Sequence, residues 1–271
     1  MRWDPNYRSS DIEDRRGDPA YSGGGGVPIF GLLQLVSQLG WPGVLIALVV
    51  GGVYVVRDCG ATVHRGSGAV QQSASEEDLS HFVGFVFDDV QRTWAAQIPN
   101  YRKTKLVLFR DATHSGCGVA SEQIGPFYCP NDNRVYIDLS FYEEMRTRLG
   151  APGDFAQAYV IAHEVGHHVQ DLLGLLGGGG GTAQIPIELQ ADCLAGAWAK
   201  DADRRGELEV GDIDQALNAA TQIGDDTLQR KAGRAVQPEK WTHGSSAQRS
   251  ASFRKGFAGG ATACGIRVES E

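Results

Sequence analysis

An uncharged run from Val27 to Val56 most constrains how this 271-residue chain can fold. About 20 apolar residues are enough to cross a bilayer as a helix. The second half of the run, WPGVLIALVVGGVYVV, is the more apolar, and Pro42-Gly43 marks a kink or the start of a span. We therefore predict a hydrophobic segment over 28–56 that contains a transmembrane helix at about 36–56, with a buried core helix as the alternative.

The residues around this run predict its orientation. Four arginines precede the run and only two follow it closely, which favours a cytoplasmic N-terminus. Residues 1–27 are polar and glycine-rich, and we predict that they are a disordered cytoplasmic segment. The run is too long for a cleaved signal peptide, and no A-x-A-like site follows it. The prediction is a single-pass membrane protein with a linker over 57–75 and a folded extracytoplasmic domain over 76–271.

Charge and cysteine content narrow the functional classes. A formal net charge of −8 and a pI near 5.4 argue against nucleic acid as a partner. Cys59 lies near the predicted membrane span, whereas four further cysteines lie in the predicted outer domain. An oxidising compartment would favour disulfides among these four. Three pairings are open on the sequence alone; the four residues are Cys117, Cys129, Cys193 and Cys264.

Hydrophobic periodicity predicts an α+β fold for the outer segment, with one helix, a small antiparallel sheet and a mainly helical half. Strands are predicted at 105–109 and 134–139, and the cysteine-, glycine- and proline-containing stretch 111–133 is predicted to be a loop. The glycine run at 177–181 is predicted to be a loose connection. Helices are predicted to begin near Glu76, Asp154, Ile187, Asp212 and Ser246.

The stretch AHEVGHHVQD at 162–171 holds three histidines, of which two can act together. His163 and His167 are four residues apart and share one helix face, whereas His168 points elsewhere because each residue turns the helix by about 100°. Two imidazoles suit Zn²⁺, and Glu164 in this H-E-x-x-H pattern suits a general base for a metal-activated water. Small and apolar flanks predict a buried helix, and Gly166 suggests that another element approaches its backbone.

Two histidines are too few for a catalytic zinc site, which usually has three protein ligands. Glu188 and Asp192 lie about 20 residues downstream, four apart on one predicted helix face. We predict that Glu188 is the third ligand. Asp192 is predicted to accept a hydrogen bond from the far nitrogen of a ligand histidine, which would fix its tautomer.

HEVGH followed by ELQAD resembles the gluzincin arrangement of thermolysin-like peptidases. The whole chain is more closely similar to the bacterial neutral zinc metallopeptidases (YpfJ-like). This resemblance implies one zinc ion per chain, a zincin-like domain and the disulfides Cys117–Cys129 and Cys193–Cys264. It also implies that an edge strand, VYIDL, holds the substrate backbone. The matching stretches lie within 1–17, 116–130, 135–141, 162–170, 188–199 and 242–257.

THGSSAQR at 242–249 resembles a stretch of membrane-bound gluzincins in which the histidine stabilises the tetrahedral intermediate. By this resemblance His243 is a catalytic oxyanion donor, and Arg249 is structural or assists it. A helix-capping turn with an exposed histidine is the alternative. Tyr136 and Tyr159 are weaker candidates for the donor, and no catalytic role is predicted for His64, His81 or His114.

The leading hypothesis is a membrane-anchored zinc endopeptidase that hydrolyses peptide bonds, with Glu164 as its general base. Its partners would be a protein or peptide substrate and the lipid bilayer. The second hypothesis is a catalytically silent, membrane-anchored scaffold that keeps zinc as a structural element. A general base has no use in such a site, so the intact Glu164 favours the enzyme.

Overall fold

The computed structural model describes residues 1–18, 74–121, 125–176 and 184–267. The predicted membrane span, Cys59, His64 and the glycine run at 177–181 lie outside the described residues, as does nearly all of the predicted linker. No helix in the described ranges is both long and apolar enough to cross a membrane.

The described residues form seven helices, and the α+β class is confirmed. The five helices predicted from periodicity are all present. Two others, α2 and α6, escape prediction because helices of eight and seven residues offer too few repeats of a hydrophobic pattern. The helices are α1 Ala74–Gln97, α2 Ser140–Thr147, α3 Asp154–Leu172, α4 Ile185–Arg204, α5 Asp212–Gln222, α6 Asp225–Lys231 and α7 Ser246–Gly259.

The main sheet is mixed, so the prediction of an antiparallel sheet is wrong. Its strand order is β1-β2-β6-β5, in which β1 and β6 run parallel to β2 and only β5 is antiparallel. The stretch predicted as a loop contains the hairpin β3–β4 and strand β5, which are too short to show a clear alternation. The strands are β1 Ile12–Asp14, β2 Lys105–Phe109, β3 Ala112–Ser115, β4 Gly118–Ser121, β5 Phe127–Cys129 and β6 Arg134–Asp138.

The N-terminal residues are folded, so the prediction of a disordered segment over 1–27 is wrong for 1–18. Strand β1 pairs with β2, and Trp3 packs against Phe82 of α1 with ring centroids 5.4 Å apart. Arg16 is only 2% exposed and binds Asp14 and the α1 residue Glu77. Composition misleads here because a few aromatic side chains supply the burial while the charges pair with other elements. The folded unit therefore includes 1–18 as well as the predicted 76–271.

The pairing of β1 with β2 also bears on the predicted membrane topology. A single crossing between residues 18 and 74 would place these two strands on opposite sides of a bilayer. Hydrogen-bonded neighbours in one sheet cannot be separated in this way. A cytoplasmic N-terminal segment with an extracytoplasmic domain is therefore incompatible with this fold.

Helix α3 lies at the centre of the helical half, where it packs against α1, α4 and α5. Fourteen of its 19 residues are buried, so its polar side chains lie in an apolar environment and need partners. Helix α1 covers the neighbouring core with the apolar face predicted from its sequence, which includes Val86, Val90 and Trp94.

Helices α4 and α7 cross in backbone contact at two glycines. A Cβ atom on Gly256 would lie 1.8 Å from the carbonyl oxygen of Cys193, and one on Gly196 would lie 2.0 Å from that of Phe253. Only glycine permits this approach, because the atoms in the way belong to the backbone.

We expect Gly256→Ala to lower the free energy of unfolding by about 3 kcal/mol, the upper end of the cost of overpacking. The helix backbones must separate, which outweighs the better helix propensity of alanine. Denaturant unfolding would measure the change. Gly17→Ala is the control, because its Cβ would meet nothing within 4 Å. Equal effects of the two changes would contradict the interpretation of the crossing.

Two disulfides join described residues, and they are the two pairings that the resemblance implies. Cys193–Cys264 joins α4 to the 3₁₀ turn Ala261–Cys264 that follows α7, so the α4–α7 crossing is covalently closed. Cys117–Cys129 fastens the turn of the β3–β4 hairpin to the end of β5.

Candidate metal and active site

Three donor atoms from two helices converge on one point. His163 and His167 lie one turn apart on α3, and their Nε2 atoms are 3.1 Å apart. Helix α4 brings Oε2 of Glu188 to 3.2 Å from the first nitrogen and 3.6 Å from the second. The three residues predicted as ligands are therefore together.

This donor set fits a tetrahedral zinc ion. Ligand bonds of about 2.0–2.2 Å give a tetrahedral edge of about 3.3–3.6 Å, close to the three observed separations. Two imidazoles and one carboxylate are also a typical ligand set of a catalytic zinc, and they leave a fourth position free. These three residues form a group with metal-site spacing in the described part of the chain.

Gly166 explains how the two helices come close enough to share these ligands. A Cβ atom at this position would lie 3.2 Å from the carbonyl oxygen of Ala191 on α4. The prediction that another element approaches the α3 backbone at this glycine is confirmed. A larger residue would push α4 away and with it Glu188, which stands one turn before Ala191.

Asp192 orients the His163 ring from α4. Nδ1 of His163 donates to Oδ1 of Asp192 over 2.9 Å, which leaves Nε2 free to face the other donor atoms. The hydroxyl of Tyr159 donates to the same oxygen over 2.5 Å. Asp192 is completely buried, so its charge needs compensation inside the protein.

Arg249 supplies that compensation from α7. Its Nε and Nη2 atoms each lie 2.9 Å from one oxygen of Asp192, a two-pronged geometry that suits guanidinium and carboxylate. Burial alone would raise the pKa of Asp192, but Arg249 and His163 lower it to about 2. Asp192 is therefore a carboxylate at neutral pH. The crossing of α4 and α7 brings its partner, Arg249, within hydrogen-bond distance.

The other two ligands are also held by side chains. Nδ1 of His167 lies 2.8 Å from Oε1 of Gln170, and the amide nitrogen of this glutamine donates to the carbonyl oxygen of Ile187 over 2.8 Å. Gln184 donates to Oε1 of Glu188 over 3.2 Å, so the carboxylate keeps its other oxygen for the metal position. Each ligand thus has a partner that sets its orientation.

Glu164 stands beside the ligands without being one of them. It is 7% exposed, and burial raises the pKa of its carboxyl against the opposing effect of the His163 and His167 rings. A raised pKa brings a carboxylate closer to the proton affinity that a general base needs near neutral pH.

A cavity of about 680 Å³ contains the site. Glu164 and the three ligands lie on its wall, and so does His243. Strand β5 contributes Phe127 and Tyr128. Much of the remaining wall is apolar, from residues Phe141, Leu149, Val160, Ile223 and Leu228.

A family model described as "Putative neutral zinc metallopeptidase" matches residues 1–265. The chain belongs to this family. It is 41% identical over 282 residues to the uncharacterized protein YpfJ of Escherichia coli K12, and the match covers 96% of each chain. It is 42% identical over 187 residues to the uncharacterized protein Rv2575 of Mycobacterium tuberculosis H37Rv, covering 63% and 64% of the two chains. No solved structure shows a significant match.

The match to the neutral zinc metallopeptidase family begins at residue 1, so it covers the folded N-terminal residues as well as the metal site. It confirms the resemblance drawn from the motifs, and it supports zinc as the metal for the site built by His163, His167 and Glu188.

The predicted donor His243 lies on the cavity wall, and its side chain is 47% exposed. Asp225 at the start of α6 fixes its loop: one carboxylate oxygen accepts the backbone N–H groups of Thr242, His243 and Gly244 over 2.7–2.9 Å. The other oxygen lies 3.4 Å from Nδ1 of His243. The turn also caps α7 through Ser245 and leaves the histidine exposed, as the alternative predicts. The place of His243 on the cavity wall is compatible with the oxyanion role, which stays a prediction.

The other tyrosine and histidines considered in the sequence analysis have partners away from the metal position. Tyr136 stacks on Phe127 and donates to Asp132 over 2.6 Å, so it is not a donor at the site. His168 contacts the carbonyl oxygen of Arg102 over 2.7 Å and points away from the other two histidines. His81 pairs with Glu77 on α1.

Gln170 and Asp225 are supporting residues that the sequence did not reveal. Gln170 follows His167 by three residues on the same helix, so an i, i+3 search from the second ligand would have found it. Asp225 begins a different helix from the one that follows His243, and no local pattern links the two residues.

The strand that borders the cavity is also different from the prediction. VYIDL forms most of β6, which lies between β2 and β5 and is therefore interior. In the described part of the sheet, β5 is the outer strand on the cavity side, and Phe127 and Tyr128 line the cavity.

Proposed function

We propose that this protein is a zinc-dependent endopeptidase. The observation that carries the proposal is the convergence of His163, His167 and Glu188, with Glu164 beside them on the wall of one cavity. A structural zinc site is usually closed by four protein ligands, whereas the described residues supply three here, on the wall of a cavity.

His163, His167 and Glu188 would hold the zinc, which would supply Lewis-acid polarisation of the scissile carbonyl and lower the pKa of the attacking water. Glu164 takes the proton from that water and passes it to the leaving amine. His243 donates a hydrogen bond to the oxygen that gains negative charge, and Asp225 holds it in place. Arg249 keeps Asp192 ionised, and Tyr159 and Arg249 together hold the carboxylate that keeps the His163 ring in one orientation.

Strand β5 is the proposed support for the substrate backbone. An extended peptide can add to the free side of an outer strand by main-chain hydrogen bonds. The apolar wall then suits a bulky apolar side chain next to the cleaved bond, and burial of such a side chain contributes about 1.5–3 kcal/mol. The proposed substrate class is therefore unfolded protein or peptide with apolar residues.

The test is hydrolysis of unfolded proteins and short peptides, with and without a zinc chelator. Cleavage that the chelator stops and added zinc restores, with preference for apolar over acidic residues at the cleaved bond, is expected. Stoichiometric zinc without any turnover would support the scaffold hypothesis instead. Cleavage that the chelator leaves unchanged would contradict both.

We further propose that the folded unit, including 1–18, lies on the extracytoplasmic side of the membrane. Two disulfides suit an oxidising compartment. The uncharged run at 27–56 is the proposed membrane contact, with its two ends on the same side. Protease added to intact cells should then reach the N-terminus as well as the domain. Protection of the N-terminus alone would contradict the proposal.

A further inference from the structure

The three residues of β5 face two sides of the sheet, because successive side chains of a strand alternate. Phe127 and Cys129 pack into a small cluster with side chains of β2, β4 and β6. Tyr128 faces the other side and joins the core that the helices form with the sheet. It is 8% exposed and also lines the cavity. Tyr128 is therefore the residue through which β5 reaches the helices.

The Tyr128 hydroxyl joins β5 to α3, the helix that carries His163 and His167. It donates to Oδ2 of Asp171 in the last turn of α3, over 2.7 Å. Nδ1 of His168 lies 3.1 Å from the same hydroxyl oxygen, and the tyrosine and histidine rings pack with their centroids 5.4 Å apart. Two side chains of the metal-binding helix thus hold one side chain of the strand.

His168 is itself held from a second direction. Its side chain is almost completely buried, and its Nε2 atom donates to the carbonyl oxygen of Arg102 over 2.7 Å. The ring of Tyr101 packs edge-on against it, with centroids 5.5 Å apart. The segment between α1 and β2 therefore fixes the imidazole. His168 follows the ligand His167 directly, so β5 is attached to α3 one residue from the metal position along the helix.

Strand β5 needs such an attachment if a substrate is to pair with it. It has three residues and stands at the end of the strand order, where its partner is β6. The Cys117–Cys129 disulfide holds its last residue, and Tyr128 holds the middle one. A strand that is already in place binds a peptide more tightly than one that must be ordered during binding, because the entropy cost of ordering is then avoided.

We propose that Tyr128 is a positioning residue that fixes β5 against α3 and so sets the place of an extended substrate relative to the metal position. Its hydroxyl contacts Asp171, His168 and Asn133, none of which is a ligand or the proposed base, so Tyr128 acts through the strand. The consequence for the substrate rests on the proposed function, whereas the attachment of the strand does not depend on cleavage.

The first measurement is amide hydrogen exchange in Tyr128→Phe, which removes only the hydroxyl and needs no activity. The amides of 127–129 should exchange about tenfold faster, relative to those of β2, because a hydrogen bond to a charged group is lost. Tyr7→Phe is the matched control, since the hydroxyl of Tyr7 donates to Asp88 on α1 over 2.8 Å. It should leave the exchange of β5 unchanged. Unchanged exchange of β5 in Tyr128→Phe would overturn the attachment.

The second measurement is steady-state hydrolysis of an extended peptide with apolar residues. Tyr128→Phe should raise KM about threefold to tenfold, with kcat and zinc content nearly unchanged, because binding must now order the strand. Tyr7→Phe should keep the wild-type KM. A lower kcat with an unchanged KM, or faster exchange of β5 without any change in KM, would overturn the positioning role. If the wild type cleaves no peptide, the proposed function fails, and the exchange experiment still decides the attachment.

Discussion

Replacement of Glu164 by glutamine is expected to lower kcat by roughly 10²–10⁴-fold while the protein keeps its zinc. The amide has almost the same shape as the carboxylate but cannot take a proton from water. Glu164 is not among the three converging donors, so the metal position is unaffected. Peptide hydrolysis and zinc content measured on the same sample would separate the two effects.

Glu239→Gln provides the control for the Glu164 variant, because this glutamate is exposed on a 3₁₀ turn away from the cavity. Its kcat should match that of the wild type. Full activity of Glu164→Gln would remove the general base from the mechanism. Loss of zinc together with activity would instead assign Glu164 to metal binding.

Arg249→Met is expected to destabilise the protein by about 3–5 kcal/mol, the cost of leaving a buried charge without its partner. Asp192 is completely buried and receives two hydrogen bonds from the arginine. Its charge would then rest on Tyr159 and His163 alone. Zinc affinity should also fall, by about 10–100-fold, because the orientation of the His163 ring is no longer fixed.

Denaturant unfolding and zinc competition with a chromophoric chelator would measure these two effects. Arg254→Met on the same helix is the control, since this arginine is exposed. Adding Asp192→Leu to Arg249→Met should recover part of the lost stability, because no unpaired charge then remains. A loss that is equal in Arg249→Met and Arg254→Met would contradict the pairing as its cause.

The metal position could be predicted from sequence because its determinants are local. His163 and His167 are placed by helix geometry alone, and Glu188 and Asp192 by the same spacing on a second helix. The sequence also indicated, through Gly166, that another element approaches the backbone of the first helix. What it could not supply was the relation between distant elements. Arg249 reaches Asp192 only because Gly196 and Gly256 let α4 and α7 meet, and no local pattern shows that these two distant glycines face one another.

The sheet and the N-terminal segment were predicted less well for the same reason. Strands β1 and β5 have three residues each and show no periodicity, so the sequence does not predict them. The edge position of VYIDL, which the resemblance implies, is wrong because β5 pairs with the outer side of β6. The composition of segment 1–18 suggests that it cannot fold by itself. In the structure it packs on α1 through Trp3 and pairs its strand with β2. The prediction of disorder considers only the few apolar residues of the segment itself. The elements that stabilise the segment, α1 and β2, follow the hydrophobic run in the sequence.

The N-terminal strand has a practical consequence for anyone who wants a shorter form of this protein. Arg16 contacts Glu77 over 3.3 Å, so the chain leaves the folded unit near residue 18 and returns beside the same place at α1. The hydrophobic run is thus an insertion into the domain rather than a stalk that precedes it. Cutting the gene at residue 74 would delete an outer strand of the sheet and the aromatic packing of Trp3. Joining residue 18 to residue 74 by a short polar linker would remove the run and preserve the domain.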